Sequence, residues 1–289
     1  MLTNGRLKIA IQKNGRLSEE SHALLRGIGL DYDTRSRQLF ALCRKLPVEI
    51  IFLRDDDIPE YVQDGICQLG IVGQNQVAET SADVDERLQL DFGKCRLSLA
   101  VKTDSSYSYV ADLNGKKIAT SYPTILRSYL AKENCDAELI TINGSVEVCP
   151  ALGVADAIAD LVSTGTTLKN NQLRVIADIF KSQSVLISSR RNLNANQSQL
   201  IEKLVCRIKA YTNAQSSKYI MMNVKKQQLS TILKLLPSLQ APTIVPLGDE
   251  KSVAVHSVIS RRDTWELAEN LQANGASGIL ITNIEKLLP

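Results

Sequence analysis

Short apolar blocks alternate with longer stretches of helical period along most of the chain. Leu7–Gln12, Val48–Leu53 and Leu69–Gly73 read as strands. Between them, Ser18 is placed to cap a helix running to about Gly27. Asp55, Asp56 and Asp57 open a second helix with Pro59 in its first turn, where a missing N–H costs nothing, and it ends at Asp64 and Gly65. This strand–helix rhythm predicts a parallel or mixed α/β sheet. Near Leu88 the rhythm changes. Residues 88–92 and 95–101 form two strands in quick succession, a passage out of one domain into another. The βα rhythm then resumes with a strand at Lys117–Thr120, a helix from Pro123 to about Asn134, a strand at 137–141, a short helix near Val146 and a strand at 156–162. Strands at 174–178 and 185–188 lead back, and a helix at 197–211 closes this part. The remainder reads as strand 219–224, helix 227–236 stopped by Pro237, strands 242–245 and 253–259, helix 263–274 closed by Gly275, and strand 278–282. That order, βαββαβ, is the ferredoxin-like pattern.

Composition narrows the function classes. A chain of 289 residues suits two or three domains, and 44% hydrophobic residues fill a sizeable core, built from aliphatic side chains because aromatics are only 4%. A net charge of +3 lacks the strong basic excess of a nucleic-acid binder but is compatible with small anionic ligands. Six cysteines without a C-x-x-C pair, and two distant histidines, His22 and His256, argue against a zinc site and for a reducing cytoplasm. The N-terminus carries no apolar signal segment, and no run of 18 apolar residues occurs, so export and membrane spanning are not expected.

The strongest chemical signal is at 156–168. An apolar strand runs into Asp160-Leu161-Val162-Ser163-Thr164-Gly165-Thr166-Thr167-Leu168. Small residues around a glycine let successive N–H groups converge on an anion, a following helix start adds positive potential, and four hydroxyls add donors. A Ser/Thr-rich turn with a helix cap accounts for the same residues. Gln12-Lys13-Asn14-Gly15-Arg16 places two cations at the end of the first strand, where open α/β sheets bind ligands, although a solvated loop reads the same way. Arg54 ends the second strand before the three aspartates, which helix-start electrostatics explain. Glu147 follows a Gly-Ser turn; it can accept from ribose hydroxyls or serve a capping arrangement with Ser145 or Gly144. Tyr122 precedes Pro123 at another strand–helix junction, where it can stack on a base beside an anion-binding helix start, or simply form a βα turn.

In this order the motifs resemble the long form of the ATP phosphoribosyltransferase family. The matching stretches are AIQKNGRL at 10–17, RDDDIP at 54–59, LGIVG at 69–73, LDFGKCRLS at 90–98, ATSYPT at 119–124, NGSVEV at 143–148 and the loop at 160–168, followed by KYIMM at 218–222, PTIVPL at 242–247 and GASGIL at 275–280. The resemblance covers essentially the whole chain. It implies two α/β lobes like those of periplasmic binding proteins, with a ferredoxin-like regulatory domain behind them. The expected boundaries are 1–97 with 184–216 for lobe I, 98–183 for lobe II and 217–289 for the regulatory domain. It implies transfer of a phosphoribosyl group from phosphoribosyl pyrophosphate to N1 of ATP, with release of pyrophosphate. Mg²⁺ would ride on substrate phosphates rather than in a protein cage. The resemblance places Glu147 and Asp160, Leu161, Val162, Ser163, Thr164, Gly165, Thr166 and Thr167 on phosphoribosyl pyrophosphate. It places Gln12, Lys13, Gly15, Arg16, Arg54, Asp91, Cys95 and Tyr122 on the nucleotide and polyphosphate side. No residue is singled out as general acid or base. It further implies feedback inhibition by histidine near Leu236, Thr243 and Gly278, and homo-oligomers, dimeric and hexameric. Two positions depart from the family pattern: Ala151 stands where an arginine is expected after Glu-Val-x-Pro, and Gln68 stands where aspartate is common, a position read as structural. Two other classes compete with the enzyme: a small-molecule binding protein on the same fold, disfavoured by the missing signal segment, and a catalytically silent regulatory subunit, disfavoured by the retained loops.

Overall fold

A computed structural model describes residues 5–34, 38–191, 193–236, 241–262 and 264–288. The expected helix stop at Pro237 and helix start at Asp263 lie outside the described residues. The chain divides into two compact units, Met1–Leu200 and Ile201–Pro289.

The first unit holds two sheets. In chain order its elements begin with β1 (Leu7–Gln12), α1 (Ser18–Gly27), β2 (Phe40–Leu42), β3 (Val48–Leu53), α2 (Ile58–Gln63), β4 (Leu69–Gly73), α3 (Gln74–Thr80) and β5 (Val84–Gln89). The chain then crosses to a second sheet through β6 (Cys95–Lys102), β7 (Lys117–Thr120), α4 (Pro123–Lys132), β8 (Glu138–Thr141), β9 (Ala157–Val162), α5 (Thr166–Asn170) and β10 (Leu173–Ser182). It returns with β11 (Ser184–Ser189) and leaves through α6 (Ala195–Gln215). The first sheet runs β2-β3-β1-β4-β11-β5 and the second β10-β6-β9-β7-β8. In each, three neighbouring strands are parallel: β3-β1-β4 in one lobe and β8-β7-β9 in the other. These are the two α/β lobes expected, joined by two crossings.

The strands form where the apolar blocks are, because their side chains are buried on both faces. Leu7, Ala10, Ile11, Val48, Ile50, Leu69 and Ile71 are buried, and full burial of one Leu or Ile side chain is worth roughly 1.5–3 kcal/mol. The second lobe is filled the same way by Leu97, Leu99, Val101, Ile118, Leu126 and Ala159.

Four expectations change. Ser18 does not cap α1: it is the first helical residue, Leu17 holds the cap position without a side-chain bond, and the Leu17 N–H donates to Gln12 Oε1 at 2.9 Å. The strand expected at 88–92 is β5, Val84–Gln89, because Asp91 and Gly93 take left-handed φ values of 61° and 63° that an extended strand cannot hold. A side chain at Gly93 would strike Leu17, its Cβ lying 2.3 Å from Leu17 Cδ2, so this crossing is sterically tight. Helix α3 was not foreseen, since its sequence QNQVAET has no apolar stripe. Asp57 holds the cap position of α2 without a side-chain bond. The three aspartates there divide: Asp55 accepts from Gln76 Nε2 at 3.2 Å and Asp56 pairs with Arg54 at 3.2 Å.

The second unit carries β12 (Ser217–Lys225), α7 (Leu229–Leu235), β13 (Thr243–Pro246), β14 (Ser252–Ser260), α8 (Thr264–Ala273) and β15 (Ser277–Asn283). Its sheet runs β13-β14-β12-β15, wholly antiparallel, the ferredoxin-like order. Alternation along β14 buries Val253, Val255, Ser257 and Ile259 on one face, where Ile220, Met222, Ile232 and Leu271 complete the core.

Candidate active site

The carboxyl ends of the parallel strands converge between the two lobes. β1 delivers Gln12 to Arg16, β3 delivers Arg54 to Asp57, and β4 delivers α3; from the other lobe β7 delivers Tyr122, β9 delivers the loop at 163–165, and Glu147 follows β8 in a short 3₁₀ turn, Val146–Val148. This is where open α/β sheets place ligands.

The β9 loop is built to receive an anion. Gly165 has φ +80°, a left-handed conformation open to glycine, and it holds the cap position of α5. A Cβ there would find Val162 Cγ1 no closer than 3.9 Å, so the constraint is conformational rather than steric. Among the described residues, no acceptor outside α5 takes the N–H of Thr164, Gly165, Thr166 or Thr167. The hydroxyls of Thr164 and Thr166 bond each other at 3.1 Å. Because α5 has only five residues, the anion-binding capacity lies in these convergent donors more than in a helix dipole.

Arg16 reaches this loop from the other lobe: its Nη1 donates to Ser163 Oγ at 3.4 Å. Gln12 turns its amide oxygen to its own loop. It is buried, and its Oε1 accepts the Leu17 N–H. A Cβ on Gly15, whose φ is +119°, would lie 2.6 Å from Gln12 Nε2, so glycine is needed to seat that amide. Lys13 points its backbone N–H to Leu53 O at 2.8 Å, while Ser18 Oγ donates to Lys13 O, tying β1, β3 and α1 together beneath the loop.

Asp160 and Glu147 stand close enough to interact. Burial pushes the Asp160 carboxyl above the usual carboxylate range, the Leu161 N–H at 2.7 Å opposes this, and the Glu147 charge adds to the rise. Glu147 is half-buried, and no side-chain cap bond engages Ser145, which removes the capping alternative. Tyr122 is 9% exposed, its hydroxyl accepting from Asn75 Nδ2 at 3.4 Å. Burial, with Asp160 and Asp55 nearby, pushes its phenol well above the ordinary value and keeps it neutral. Its ring is thus enclosed between the lobes rather than open for stacking. The start of α4 behind it is also occupied, by Glu79, which accepts from the N–H groups of Thr124 and Ile125.

A cavity of about 460 Å³ opens beside the β9 loop, lined by Asp91, Cys95, Val162 and Ser163 among the expected residues. Sequence reasoning missed Gln74, Lys94, Arg96 and Lys181 on its wall. Lys94 and Arg96 flank Cys95 in a stretch already singled out, so their charge was a usable signal. Lys181 was not, because only the antiparallel pairing of β10 with β6 brings it opposite Arg96. Lys94 pairs with Asp91 at 2.9 Å, and Arg96 Nε lies 2.9 Å from Asp178 in an ion pair without hydrogen-bond alignment. Arg54 remains largely exposed beside Asp56. Ala151 is exposed in the turn after Glu147. Gln68 accepts the Lys8 N–H at 2.9 Å and donates to Gly65 O at 3.1 Å, a structural task.

In the second unit, Leu236 is buried in the core, while Thr243 and Gly278 lie on opposite edge strands, so the three expected regulatory positions do not converge within one chain. Gly278 lines a separate cavity of about 680 Å³ with Lys218, Arg261, Trp265 and Glu269. Among the described residues no helix is long and apolar enough to cross a membrane, and all six cysteines are free.

The family described as ATP phosphoribosyltransferase matches residues 54–210, and the family described as HisG, C-terminal domain, matches residues 214–286. An ATP phosphoribosyltransferase of Cytophaga hutchinsonii is 43% identical over 282 residues, 98% of this chain and 98% of that one. One from Bacteroides thetaiotaomicron is 43% identical over 282 residues, 98% of this chain and 99% of that one. Among solved structures, the ATP phosphoribosyl transferase (HisG:HisZ) complex from Thermotoga maritima superposes with a TM-score of 0.61 at 25% identity, covering 70% of this chain and 98% of that chain. With the catalytic and C-terminal family regions both present in order, this chain belongs to the ATP phosphoribosyltransferase family and is a transferase of the first step of histidine biosynthesis.

Proposed function

We propose that the cleft takes phosphoribosyl pyrophosphate on the β9 loop and ATP against the opposite wall, and joins N1 of the adenine to C1 of the ribose. The observation that carries this is the loop of unsatisfied donors at Thr164–Thr167 with Arg16 of the other lobe held against Ser163. Asp160 through Thr167 hold the ribose and its 5-phosphate, and the Glu147 and Asp160 pair accepts from ribose hydroxyls. Departure of pyrophosphate leaves oxocarbenium character at C1, as in glycosyl transfer generally. The protein's work is then to orient two polyanions and to balance the departing charge. Lys13, Arg16 and Arg54 supply that charge from lobe I, and Lys94, Arg96 and Lys181 supply it from the cavity wall. Gln12 and Gly15 shape the lobe I loop, and Asp91, Cys95 and Tyr122 bound the nucleotide side. Adenine N1 is a nucleophile at neutral pH, so no general base is required.

Among the described residues no three of His, Cys, Asp and Glu gather as a metal cage. Mg²⁺ carried by the substrate phosphates, as the family resemblance implies, would neutralise the departing pyrophosphate. We further infer inhibition by histidine at the second unit, with Leu236, Thr243 and Gly278 as its neighbourhood, in a cytoplasmic homo-oligomer, dimeric or hexameric. Thr243 and Gly278 sit on the two edges of one sheet, so a head-to-tail arrangement that sets the β13 edge of one copy against the β15 edge of the next would bring them together.

The test mixes the purified chain with ATP, phosphoribosyl pyrophosphate and Mg²⁺ and follows pyrophosphate release. Turnover that requires both substrates is expected. A folded protein that releases none overturns the reading. Titrating the same assay with histidine tests regulation separately, and a flat response removes that part.

A further inference from the structure

Helix α4 lacks a cap of its own. The first N–H groups of a helix have no partner inside it and need one outside. Here Tyr122 N–H donates to Thr120 Oγ1 at 2.9 Å, and Pro123 has no N–H. The two that remain, Thr124 and Ile125, donate to the two carboxylate oxygens of Glu79 at 2.8 and 3.0 Å. Glu79 lies on α3, which follows β4 of the first lobe, whereas α4 follows β7 of the second. The cap of one lobe's helix is therefore a side chain of the other lobe.

One helical turn earlier, on the same face of α3, Asn75 makes the matching contacts. It is 2% exposed. Its Oδ1 accepts from Ser182 Oγ at 2.8 Å, its backbone N–H donates to the same Ser182 Oγ at 3.0 Å, and its Nδ2 faces the Tyr122 hydroxyl at 3.4 Å. Ser182 ends β10 at the return crossing between the sheets. The Ser182 bond fixes which way the Asn75 amide points, so that its Nδ2 donates to the Tyr122 hydroxyl.

We propose that Asn75 and Glu79 are positioning residues: they clasp α4 to α3 and thereby fix Tyr122 beside Asp160 at the closure the phosphoribosyl transfer needs. This rests on the cleft being the transfer site. It explains why α3, poor in apolar residues, is nevertheless a helix at the crossing: its polar face makes these contacts. It also separates two inter-lobe contacts by role. Arg16 to Ser163 joins two exposed side chains of the ligand set, long enough at 3.4 Å to yield to a substrate. The Glu79 half of the α3–α4 clasp uses a residue outside that set and shorter, charge-assisted bonds.

The experiment compares Glu79→Ala and Glu79→Gln in the full chain. Hydrogen exchange of the α4 amides and steady-state kinetics of pyrophosphate release are both measured. Exchange at Thr124 and Ile125 should quicken about tenfold or more in Glu79→Ala. Its kcat should fall about tenfold with a smaller change in KM for phosphoribosyl pyrophosphate. Glu79→Gln, whose one carbonyl can take one of the two N–H groups, should lie between and keeps the test valid if the alanine variant folds poorly. Wild-type kcat and KM in both variants, with a lowered Tm alone, would reduce Glu79 to a stabilising cap and overturn the proposal. Wild-type exchange in Glu79→Ala would overturn it as well, and that arm holds even if the wild-type chain shows no turnover, which instead sinks the functional reading.

Discussion

Two glycine-bearing loops face each other across the cleft, and side chains brace them to different degrees. At the end of β1, side chains brace the loop Gln12–Arg16: Gln12 turns its Oε1 to the Leu17 N–H, Gly15 makes room for that amide, and Ser18 closes on Lys13 O, while among the described residues no protein acceptor takes the N–H groups of Asn14, Gly15 and Arg16. At the end of β9, among the described residues, no acceptor outside α5 takes the N–H groups of Thr164 to Thr167, and the nearest side-chain atom to a Cβ on Gly165 would be 3.9 Å away. A braced loop is a rigid mount for charge, and free donors in either loop lose less on meeting a phosphate than they would if they first had to break bonds within the protein. Both loops have a glycine at positive φ, so the glycine alone does not tell them apart.

Substitutions at the two glycines give the sharpest contrast. Gly165→Val should remove the left-handed turn that aims the donors and lower kcat/KM for phosphoribosyl pyrophosphate by about a hundredfold or more, with little loss of Tm. Calorimetric titration showing unchanged binding would mean that the receptor loop lies elsewhere. Asp160→Asn should cost about tenfold to a hundredfold in the same constant, yet raise Tm at pH 7.5 by about 1–3 °C. The sign follows from the raised carboxyl. Its contribution to stability is complete below the unfolded carboxylate value, about 3.9, and is lost as pH rises through the folded value, so aspartate weakens the fold at neutral pH and asparagine does not. The Tm gain of the variant should therefore shrink toward pH 4, and a gain constant with pH would contradict the assignment. Arg16→Ala should raise KM about tenfold and make binding less sensitive to salt, since the charge is mounted rather than folded in. The smallest effect belongs to Gln12→Ala: loss of the bond to Leu17 N–H should cost about 1 kcal/mol, a Tm drop of about 2–4 °C, with activity reduced only through a loosened Arg16. Thermal melts and rates measured side by side would break the comparison if Gln12 proved the more damaging to activity and Gly165 to stability.

Much of the fold was legible in the chain. β1, β3, β4 and β7 coincide with the apolar blocks that predict them, because a strand buried on both faces needs a continuous apolar run. The βαββαβ order of the second unit was legible for the same kind of reason, with alternation marking the one-sided sheet. The misses share a cause. Helix α3 and the crossing at Asp91 and Gly93 are held by contacts distant in sequence: Glu79 to Thr124, Asn75 to Ser182, and Gly93 against Leu17. Local pattern carries no trace of such partners. Tyr122 shows the same limit within the site, since a tyrosine before Pro123 fits both a stacking platform and a simple βα turn until Asn75 and the lobe packing enclose it.

The sequence by itself determined which residue types could hold a phosphate and in what order they come, because a strand, a glycine turn and a run of hydroxyls are local chemistry. It also determined the family, through motifs spread over both units. Only the tertiary structure decided which of those groups remain available. Gln12 Oε1 is taken by its own loop, the start of α4 is taken by Glu79, and among the described residues the donors of the β9 loop find no acceptor outside α5, with Lys181 brought beside Arg96 by strand pairing. The physical reason is that a polar group can serve a ligand only if folding has not already given it a partner, and partners distant in the chain are chosen by packing.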